Sequence, residues 1–313
     1  MEAKVSVIIP VFNREKLIER TLNSVLYQTC SPEEIIVIDN CSTDDSYDTI
    51  RHWMKKNEKA GINFSLLKQE KKGACHTRQK GLENAQGDYI IFFDSDDEMM
   101  PDLIQNAKNT LQNNPDADII CWSCQIKQLD GSIRIPPFDS SNPIENHLIH
   151  TLLRPQGYMV KKNFLNKNKG WTKEMMVWDD LELGLRLLLE NPKLIGINKI
   201  LAHINAQEDS ITGTDFTSKE GQWEKTLDEM EESVKSSGHE SKNKILNLLD
   251  YRRSILAAHY YKENNKEAAK QLLSKSLKNK KTLDKLILKF SYNYTRKGFR
   301  GAFRVVKHFI RNK

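Results

Sequence analysis

The sequence of 313 residues lacks any apolar run close to the roughly 18–20 residues that a membrane-spanning helix requires. The apolar stretch nearest the N-terminus, residues 5–12, is short and contains Ser6 and Pro10. It also lacks a cleavage site, so it favours a strand over a signal peptide. The composition, with 38% hydrophobic and 29% charged residues, predicts a globular protein without a transmembrane segment.

Cysteine is scarce as well, with five residues that are odd in number and scattered. This usage favours a reduced, cytoplasmic protein over a disulfide scaffold. Cys121 and Cys124 form an isolated CxxC in a predicted strand, where positions three apart face opposite sides. Because no second CxxC accompanies it, this spacing favours structural cysteines over metal or redox chemistry.

The net charge of +6 is unevenly distributed. Residues 270–313 carry +13, whereas the remainder of the chain carries −7. The last part interleaves basic residues with Phe299, Phe303 and Phe309, which predicts a basic amphipathic helix. This tail either binds an anionic membrane surface, on the inner face of the cytoplasmic membrane, or packs on the protein. Nucleic acid is not an expected partner, because no nucleic-acid-binding motif accompanies the charge.

The first two-thirds of the chain alternates between strand and helix patterns, which predicts an α/β fold with a mainly parallel sheet and helices on both faces. From residue 218 onward the pattern is helical, so we place a domain boundary near residues 215–218. A hairpin is predicted where Asp130 and Gly131 reverse the fifth strand. The five predicted strands are residues 4–11, 34–38, 63–68, 89–93 and 118–129.

Polar residues follow the ends of three of these strands, where ligands bind in open α/β sheets. Asn13 follows the first strand, Asp39 the second, and Asp94, Asp96 and Asp97 the fourth. Carboxylates packed together after an apolar strand repel one another, and a divalent cation such as Mg²⁺ or Mn²⁺ relieves that repulsion. The alternative is a solvated acidic turn that precedes a helix.

Four motifs in the chain occur in an order and at spacings that resemble the family 2 glycosyltransferases. They are residues 7–13 (VIIPVFN), 36–44 (IVIDNCSTD), 73–78 (GACHTR) and 87–97 (GDYIIFFDSDD). The resemblance covers roughly residues 4–212. It implies a GT-A fold, an inverting reaction, and a nucleotide-sugar site in residues 1–100 followed by an acceptor-side half in residues 101–217.

The resemblance also implies roles for individual residues. Asp39 is expected to bind the base of the donor, which favours uridine, and Asp96 of the DXD motif to ligate Mn²⁺ or Mg²⁺. Asp180 takes the position of the general base, because an acceptor hydroxyl must lose a proton as it attacks. The expected contacts to the nucleotide-sugar are Pro10, Val11, Asn13, Asp39, Arg78, Asp94 and Ser95.

The acceptor side is implied by residues near the base. Asp179 directly precedes it, and Trp171 and Trp178 are candidates for stacking on a sugar. The chain departs from the family pattern at Asn205 and Gln207, where an Arg and a His are usual. His203 lies nearby and is the candidate for a further metal ligand.

The sequence therefore predicts an inverting, metal-dependent enzyme that moves a sugar from a nucleotide-sugar to a glycan or lipid-linked acceptor in cell-surface polysaccharide synthesis. One alternative is a non-catalytic sugar- or lipid-binding scaffold. Another is a nucleotidyltransferase, but its triphosphate would require a glycine-rich loop after the first strand. Residues 10–14 contain no glycine. The predicted domains are 1–217, catalytic, and 218–313, a helical extension with the basic tail.

Overall fold

The computed structural model describes residues 3–207, 215–299 and 301–303. The chain divides into two compact units: residues 1–146 with 150–209, and residues 147–149 with 210–313. The domain boundary placed at residue 217 stays a prediction and falls a few residues after this division. The Ser210-Ile211-Thr212 segment, which marks the end of the family pattern, lies outside the described residues.

The described part of the first unit contains one mixed sheet. Its strands are β1 (Val5–Val11), β2 (Glu34–Asp39), β3 (Asn63–Lys68), β4 (Tyr89–Phe92), β5 (Glu98–Met99), β6 (Ile119–Lys127), β7 (Ile133–Arg134), β8 (Tyr158–Lys161) and β9 (Leu194–Asn205). The strand order is β3-β2-β1-β4-β8-β6-β9-β5, and β7 pairs with β6 as the predicted hairpin. The pairs from β3 to β4 are all parallel, whereas β8 runs antiparallel to both β4 and β6.

Helices cover both faces of this sheet, as predicted. In β1, Val7 and Ile9 face a core shared with α1, α2 and α4, while Ile8 faces a core shared with α3 and α7. This alternation follows from the two-residue period of a strand. The helices of this part of the chain are α1 (Ile18–Leu26), α2 (Ser46–Lys56), α3 (Ala74–Asn84), α4 (Leu103–Asn113), α5 (Pro143–His150), α6 (Lys162–Lys167) and α7 (Asp179–Leu189).

Helix α3 lies unusually close to the sheet, and Gly81 makes this possible. A Cβ atom at Gly81 would lie 2.3 Å from a methyl carbon of Ile8 and 2.8 Å from one of Ile38. Because Arg78 precedes Gly81 by less than one helical turn, this close approach also fixes where the Arg78 side chain starts.

Three strands were not predicted: β5, β8 and β9. β5 has only two residues. β8 is only four residues long and lies in the loosely patterned region after residue 136. β9 contains Gly196, Asn198 and Lys199, which interrupt its apolar pattern, and its register with β6 shifts near Ser123. Pairing with β6 stabilises this strand despite its weak local signal, because sheet propensity depends strongly on context.

The second unit is helical in its described part, as predicted. A short 3₁₀ turn, Thr217–Lys219, precedes four α-helices there. Residue 300 and residues 304–313 of the predicted amphipathic tail lie outside the described residues. The four helices are α8 (Gln222–Ser236), α9 (Lys242–Lys262), α10 (Lys266–Leu277) and α11 (Thr282–Arg296).

Candidate active site

The carboxyl ends of β1, β2 and β4 lie side by side, because these strands are parallel neighbours. Hydrogen bonds join the first two strand-end loops: Asn13 Oδ1 accepts from the Thr43 amide at 2.8 Å, and Ser42 Oγ accepts from the Asn13 amide at 3.0 Å. Asn13 and Cys41 both have left-handed backbone, with φ of 52° and 59°. Such strain in residues with a Cβ is common at ligand sites.

Asp39 ends β2 with one carboxylate oxygen uncompensated. Its side chain is only 3% exposed. Oδ2 accepts a hydrogen bond of 3.3 Å from the Ser42 amide, whereas Oδ1 is buried and accepts none from the residues that the structure describes. A buried acceptor without a donor is costly, so this oxygen fits an N–H group of a ligand. Val11, paired with Asp39 across the sheet, and Pro10 form the adjoining end of β1.

The acidic segment after β4 distributes its carboxylates over different donors. Asp94 Oδ1 accepts from Arg78 at 2.8 Å. Asp96 forms an ion pair of 3.2 Å with Arg14 Nε. Asp97 is 2% exposed and accepts from the Asn205 amide at 2.8 Å. Ser95, between them, is also buried.

The glutamine Gln156 lies between two of these acids and was not predicted. Its Nε2 group donates to Asp94 Oδ2 and to Asp97 Oδ2, both at 2.6 Å. Gln156 lies in a 3₁₀ turn, Pro155–Gly157, just before β8. The only sequence signal at this position is a Gln between Pro and Gly, which predicts a turn and no function.

Burial and mutual repulsion disfavour ionisation in this segment. Burial raises the pKa of Asp96, and the neighbouring Asp94 charge raises it further, although Arg14 lowers it. Burial raises the pKa of Asp97 well above its usual range, with repulsion from Asp96 and Asp94 as the next causes. A site with these properties gains from a positive charge that is shared among the carboxylates.

Arg78 joins the acidic segment to the start of α7. Its guanidinium donates to Asp94 at 2.8 Å and to Asp179 at 2.6 Å, and the side chain is 8% exposed. Burial alone lowers the pKa of Arg78, but the charges of Asp94 and Asp179 outweigh that effect and raise it. Arg78 therefore remains a cation, and in this structure it binds two carboxylates of the protein.

Asp180 occupies the first turn of α7, next to the acid that Arg78 binds. Its Oδ1 accepts from the Leu181 amide at 2.8 Å. Burial raises its pKa to about 6, repulsion from Asp179 adds to the shift, and Arg78 and Arg154 oppose it. A carboxylate with a pKa near neutrality suits proton transfer at physiological pH. Trp178, with a left-handed φ of 51°, precedes the helix as its N-cap residue.

Trp171 is a core residue, which corrects its interpretation as a stacking surface for the acceptor sugar. The ring is 2% exposed, so it offers a sugar no accessible face. It packs edge-on to Phe92 with a centroid distance of 5.1 Å, and the Arg78 guanidinium lies 4.7 Å from its centroid. Trp171 therefore supports Arg78 through a cation–π contact. Trp178 is partly exposed and remains a candidate for the acceptor side.

His203 lies on β9, where its ring is 3.0 Å from the amide nitrogen of Gln125. Among the described residues, no group of three or more His, Cys, Asp and Glu side chains is arranged as a preformed metal cage. Mg²⁺ and Mn²⁺ need no such cage, because they bind through one or two carboxylates together with substrate phosphates. The oxygen donors of Asp94 and Asp96 fit this chemistry, with Asp96 as the predicted ligand.

Asn205, where the family pattern usually differs, holds the acidic segment in place. Besides the backbone bond to Asp97, its Nδ2 donates to the Asp96 carbonyl oxygen at 3.2 Å. Gln207 Nε2 donates to the carbonyl oxygen of Asn205. The Asn205 side chain thus holds the backbone of the acidic segment, whereas the bond to the Asp97 carboxylate comes from its backbone amide.

The parallel strands β1, β2 and β4 of the mixed sheet end in carboxylates and an uncompensated buried acceptor, and α7 adds an acid of raised pKa. This is the arrangement of a ligand site at the edge of an α/β sheet. The family model described as "Glycosyl transferase family 2" matches residues 6–176, more than half of the chain. The chain belongs to this family and is a glycosyltransferase with a GT-A-like fold.

Curated relatives support this assignment. The chain is 28% identical over 223 residues to the putative teichuronic acid biosynthesis glycosyltransferase TuaG of Bacillus subtilis, covering 70% of this chain and 85% of TuaG. It is 35% identical over 108 residues to the GalNAc(5)-diNAcBac-PP-undecaprenol beta-1,3-glucosyltransferase of Campylobacter jejuni, covering 34% of this chain and 33% of that protein.

A solved structure shares the fold over almost the whole chain. Residues 1–349 of TarS from S. aureus, in complex with UDP-GlcNAc, superpose with a TM-score of 0.73 at 17% identity. The match covers 95% of this chain and 92% of TarS 1–349. At 17% identity, this similarity shows that the two proteins share a fold.

Proposed function

We propose that the chain is an inverting, metal-dependent glycosyltransferase that uses a UDP-sugar as donor. The acceptor is a hydroxyl of a glycan or of a lipid-linked glycan in cell-surface polysaccharide synthesis. The reaction takes place in the cytoplasm, at the inner face of the membrane. The names of the relatives support this class of acceptor, because one is a teichuronic acid enzyme and another acts on an undecaprenol-linked glycan.

The observation that carries the proposal is the Arg78 bridge. One guanidinium binds Asp94, at the end of the donor-side strand β4, and Asp179, which immediately precedes Asp180. A donor acid and a candidate base are thereby held in one site. An in-line displacement requires this proximity, because the acceptor must attack the anomeric carbon from the side opposite the leaving group.

In the proposed reaction, Asp180 accepts the proton of the acceptor hydroxyl as its oxygen forms a bond to the anomeric carbon. The bond between that carbon and the diphosphate oxygen breaks, and its electron pair leaves with the nucleoside diphosphate. Asp96, with His203 as a further candidate ligand, would hold Mn²⁺ or Mg²⁺, and the ion would supply Lewis-acid stabilisation of the diphosphate. Asp94 and Ser95 contact the donor, and Asn13 lies beside its nucleoside.

The test of catalysis is transfer from UDP-sugars in the presence of Mn²⁺, with the anomeric configuration of the product read by NMR. Inversion with loss of activity in Asp180→Asn is the expected result. Asp130→Asn, in the exposed β6–β7 turn, is the matched control. Retention of configuration, or normal transfer by Asp180→Asn, would contradict the proposed mechanism.

The uridine assignment depends on Asp39, whose Oδ1 is suited to accept the imide N–H of uracil. We expect UDP with Mn²⁺ to raise the thermal stability more than GDP does, since a ligand at about 100 times its Kd adds about 2.7 kcal/mol. Asp39→Ala should abolish the UDP effect, whereas Asp48→Ala, an exposed acid of α2, should preserve it. An equal response to GDP contradicts the choice of base.

A further inference from the structure

Exposed apolar side chains are concentrated on helix α11 and the residues after it. In the described part of the chain, ten large apolar side chains are exposed, and four of them lie within residues 283–299. Isolated exposed apolar residues are ordinary, but a contiguous group marks an interaction surface. We call this group the α11 stripe: Leu283 (44% exposed), Leu286 (60%), Phe290 (43%) and Phe299 (56%).

Helical spacing places the stripe on one side of α11. Leu283, Leu286 and Phe290 are separated by three and four residues, so they share a face. Leu288 and Tyr292 belong to the opposite, buried face of the same helix. Ring contacts continue the stripe from the last turns of α11 to Phe299. The ring centroid of Tyr294 lies 5.5 Å from that of Phe290 and 5.0 Å from that of Phe299.

Positive charge surrounds the stripe. Residues 278–299 contain seven Lys or Arg residues and one acid, Asp284. The exposed lysines Lys281, Lys285, Lys289 and Lys297 lie on α11 or directly beside its ends. A surface that combines exposed leucine and phenylalanine with lysine is the composition of helices that lie in a membrane interface.

We propose that the α11 stripe docks on an anionic lipid surface, with the apolar side chains inserted at the headgroup boundary and the lysines beside the headgroups. No helix within the described ranges is long and apolar enough to cross a membrane, so this contact is peripheral. Charge decides between lipid and a second copy of this chain. Two copies would bring the same lysine-rich faces together, and like charges at close range repel. This inference does not depend on the proposed catalytic reaction.

The first test is flotation of the full chain with vesicles of phosphatidylglycerol and phosphatidylcholine, compared with vesicles of phosphatidylcholine alone. The variant L283S/L286S/F290S should bind the anionic vesicles at least about tenfold more weakly, because three apolar side chains no longer insert. The control variant L129S/I133S/I135S removes three apolar side chains of at least comparable exposure from the β6–β7 hairpin and should bind normally. Equal loss in both variants overturns the proposal.

The second test reverses charge beside the stripe. Each lysine near an anionic surface contributes about 1 kcal/mol, so K285E/K289E should weaken binding by at least about 30-fold. The control K55E/K59E makes the same change of charge on exposed lysines of the first unit and should have a much smaller effect. Sedimentation velocity identifies the rival occupant: if L283S/L286S/F290S changes the oligomeric state and leaves flotation unchanged, the stripe binds a second copy and the lipid proposal is wrong.

Discussion

Two pairs of adjacent aspartates, one after β4 and one at the start of α7, meet different partners. In the first pair, each acid has its own donors. Arg14 pairs with Asp96, and two amides bind Asp97. The two acids share none of these donors. The pair is therefore built as a fixed acidic surface, suited to hold a cation.

The second pair shares its donors unequally. Arg78 and the Cys75 thiol both donate to Asp179, whereas Asp180 receives a bond from the Leu181 amide. Burial raises the pKa of Asp180 to about 6, and the charge of Asp179 adds to the shift. Residues of one type thus acquire different chemistry from their partners: Asp179 binds the Arg78 guanidinium, and Asp180, with its raised pKa, is suited to exchange a proton.

The largest expected effect separates Asp180 from its neighbour. Asp180→Asn removes the base, so the transfer rate should fall by about 100- to 10,000-fold. Donor affinity, measured by calorimetry with UDP and Mn²⁺, should change little. Asp179→Asn should act differently, because it releases Arg78 and perturbs donor binding as well as rate. If both variants show the same kinetic pattern, the division of roles within this pair is wrong.

The next effect tests the Arg78 bridge between Asp94 and the second pair. Arg78→Met leaves Asp94 and Asp179 without their shared cation, and breaking such a buried pair costs about 3–5 kcal/mol in the free energy of unfolding. Denaturation in urea measures the loss. Arg51→Met, which breaks the exposed pair with Asp48, should cost less than about 1 kcal/mol.

A second variant tests the cause of the lost stability even if Arg78→Met folds poorly. In Arg78→Met/Asp179→Asn, one of the two orphaned carboxylates becomes neutral, so part of the lost stability should return. If the double variant is no more stable than Arg78→Met, the cost does not arise from the unpaired acid.

The two acidic pairs were predicted from the sequence for a simple physical reason. A buried strand of continuous apolar residues ends directly on Asp94, and an apolar helix begins directly after Asp180. A local pattern of this kind predicts where the acid lies along the chain, and it also predicts that the acid lies at the end of the strand or helix.

The residues that donate hydrogen bonds to these acids could not be predicted, because they are brought into contact by pairing between strands that are distant in sequence. Gln156 and Asn205 reach Asp97 across separations of 59 and 108 residues. They depend on β8 and β9, whose short or interrupted patterns gave no strand signal. Trp171 illustrates the same limit, since only the packed structure shows that its ring is covered and supports Arg78.

A smaller effect tests whether Gln156 fixes the first pair. Gln156→Met removes the amide that donates to Asp94 and Asp97, and each loses a buried bond. We expect a loss of about 1–3 kcal/mol in the free energy of unfolding. The Mn²⁺ concentration for half-maximal activity should also shift. Gln271→Met, at an exposed position of α10, is the control and should change neither quantity.

The smallest effect is the dependence on pH that Asp180 contributes. In the proposed mechanism transfer requires ionised Asp180, so the rate should be half-maximal near pH 6 and fall about tenfold for each unit below it. Stability should move in the opposite direction. A folded-state pKa above the usual 3.8 means that the contribution of Asp180 to stability is full below about pH 4 and is lost as the pH rises through about 6.

Asp180→Asn cannot ionise, so its stability relative to the unmutated chain should improve by about 1–3 kcal/mol between pH 4 and pH 8. Urea denaturation at a series of pH values from 4 to 8, with Asp130→Asn as the control, measures this difference and the pH at its midpoint. If the pH midpoint of this stability difference agrees with the midpoint of the acidic limb of the rate profile, one carboxylate accounts for both changes. A rate profile with a midpoint near 4 instead means that neither burial nor the charge of Asp179 raises the pKa of Asp180, and the contrast between Asp179 and Asp180 disappears.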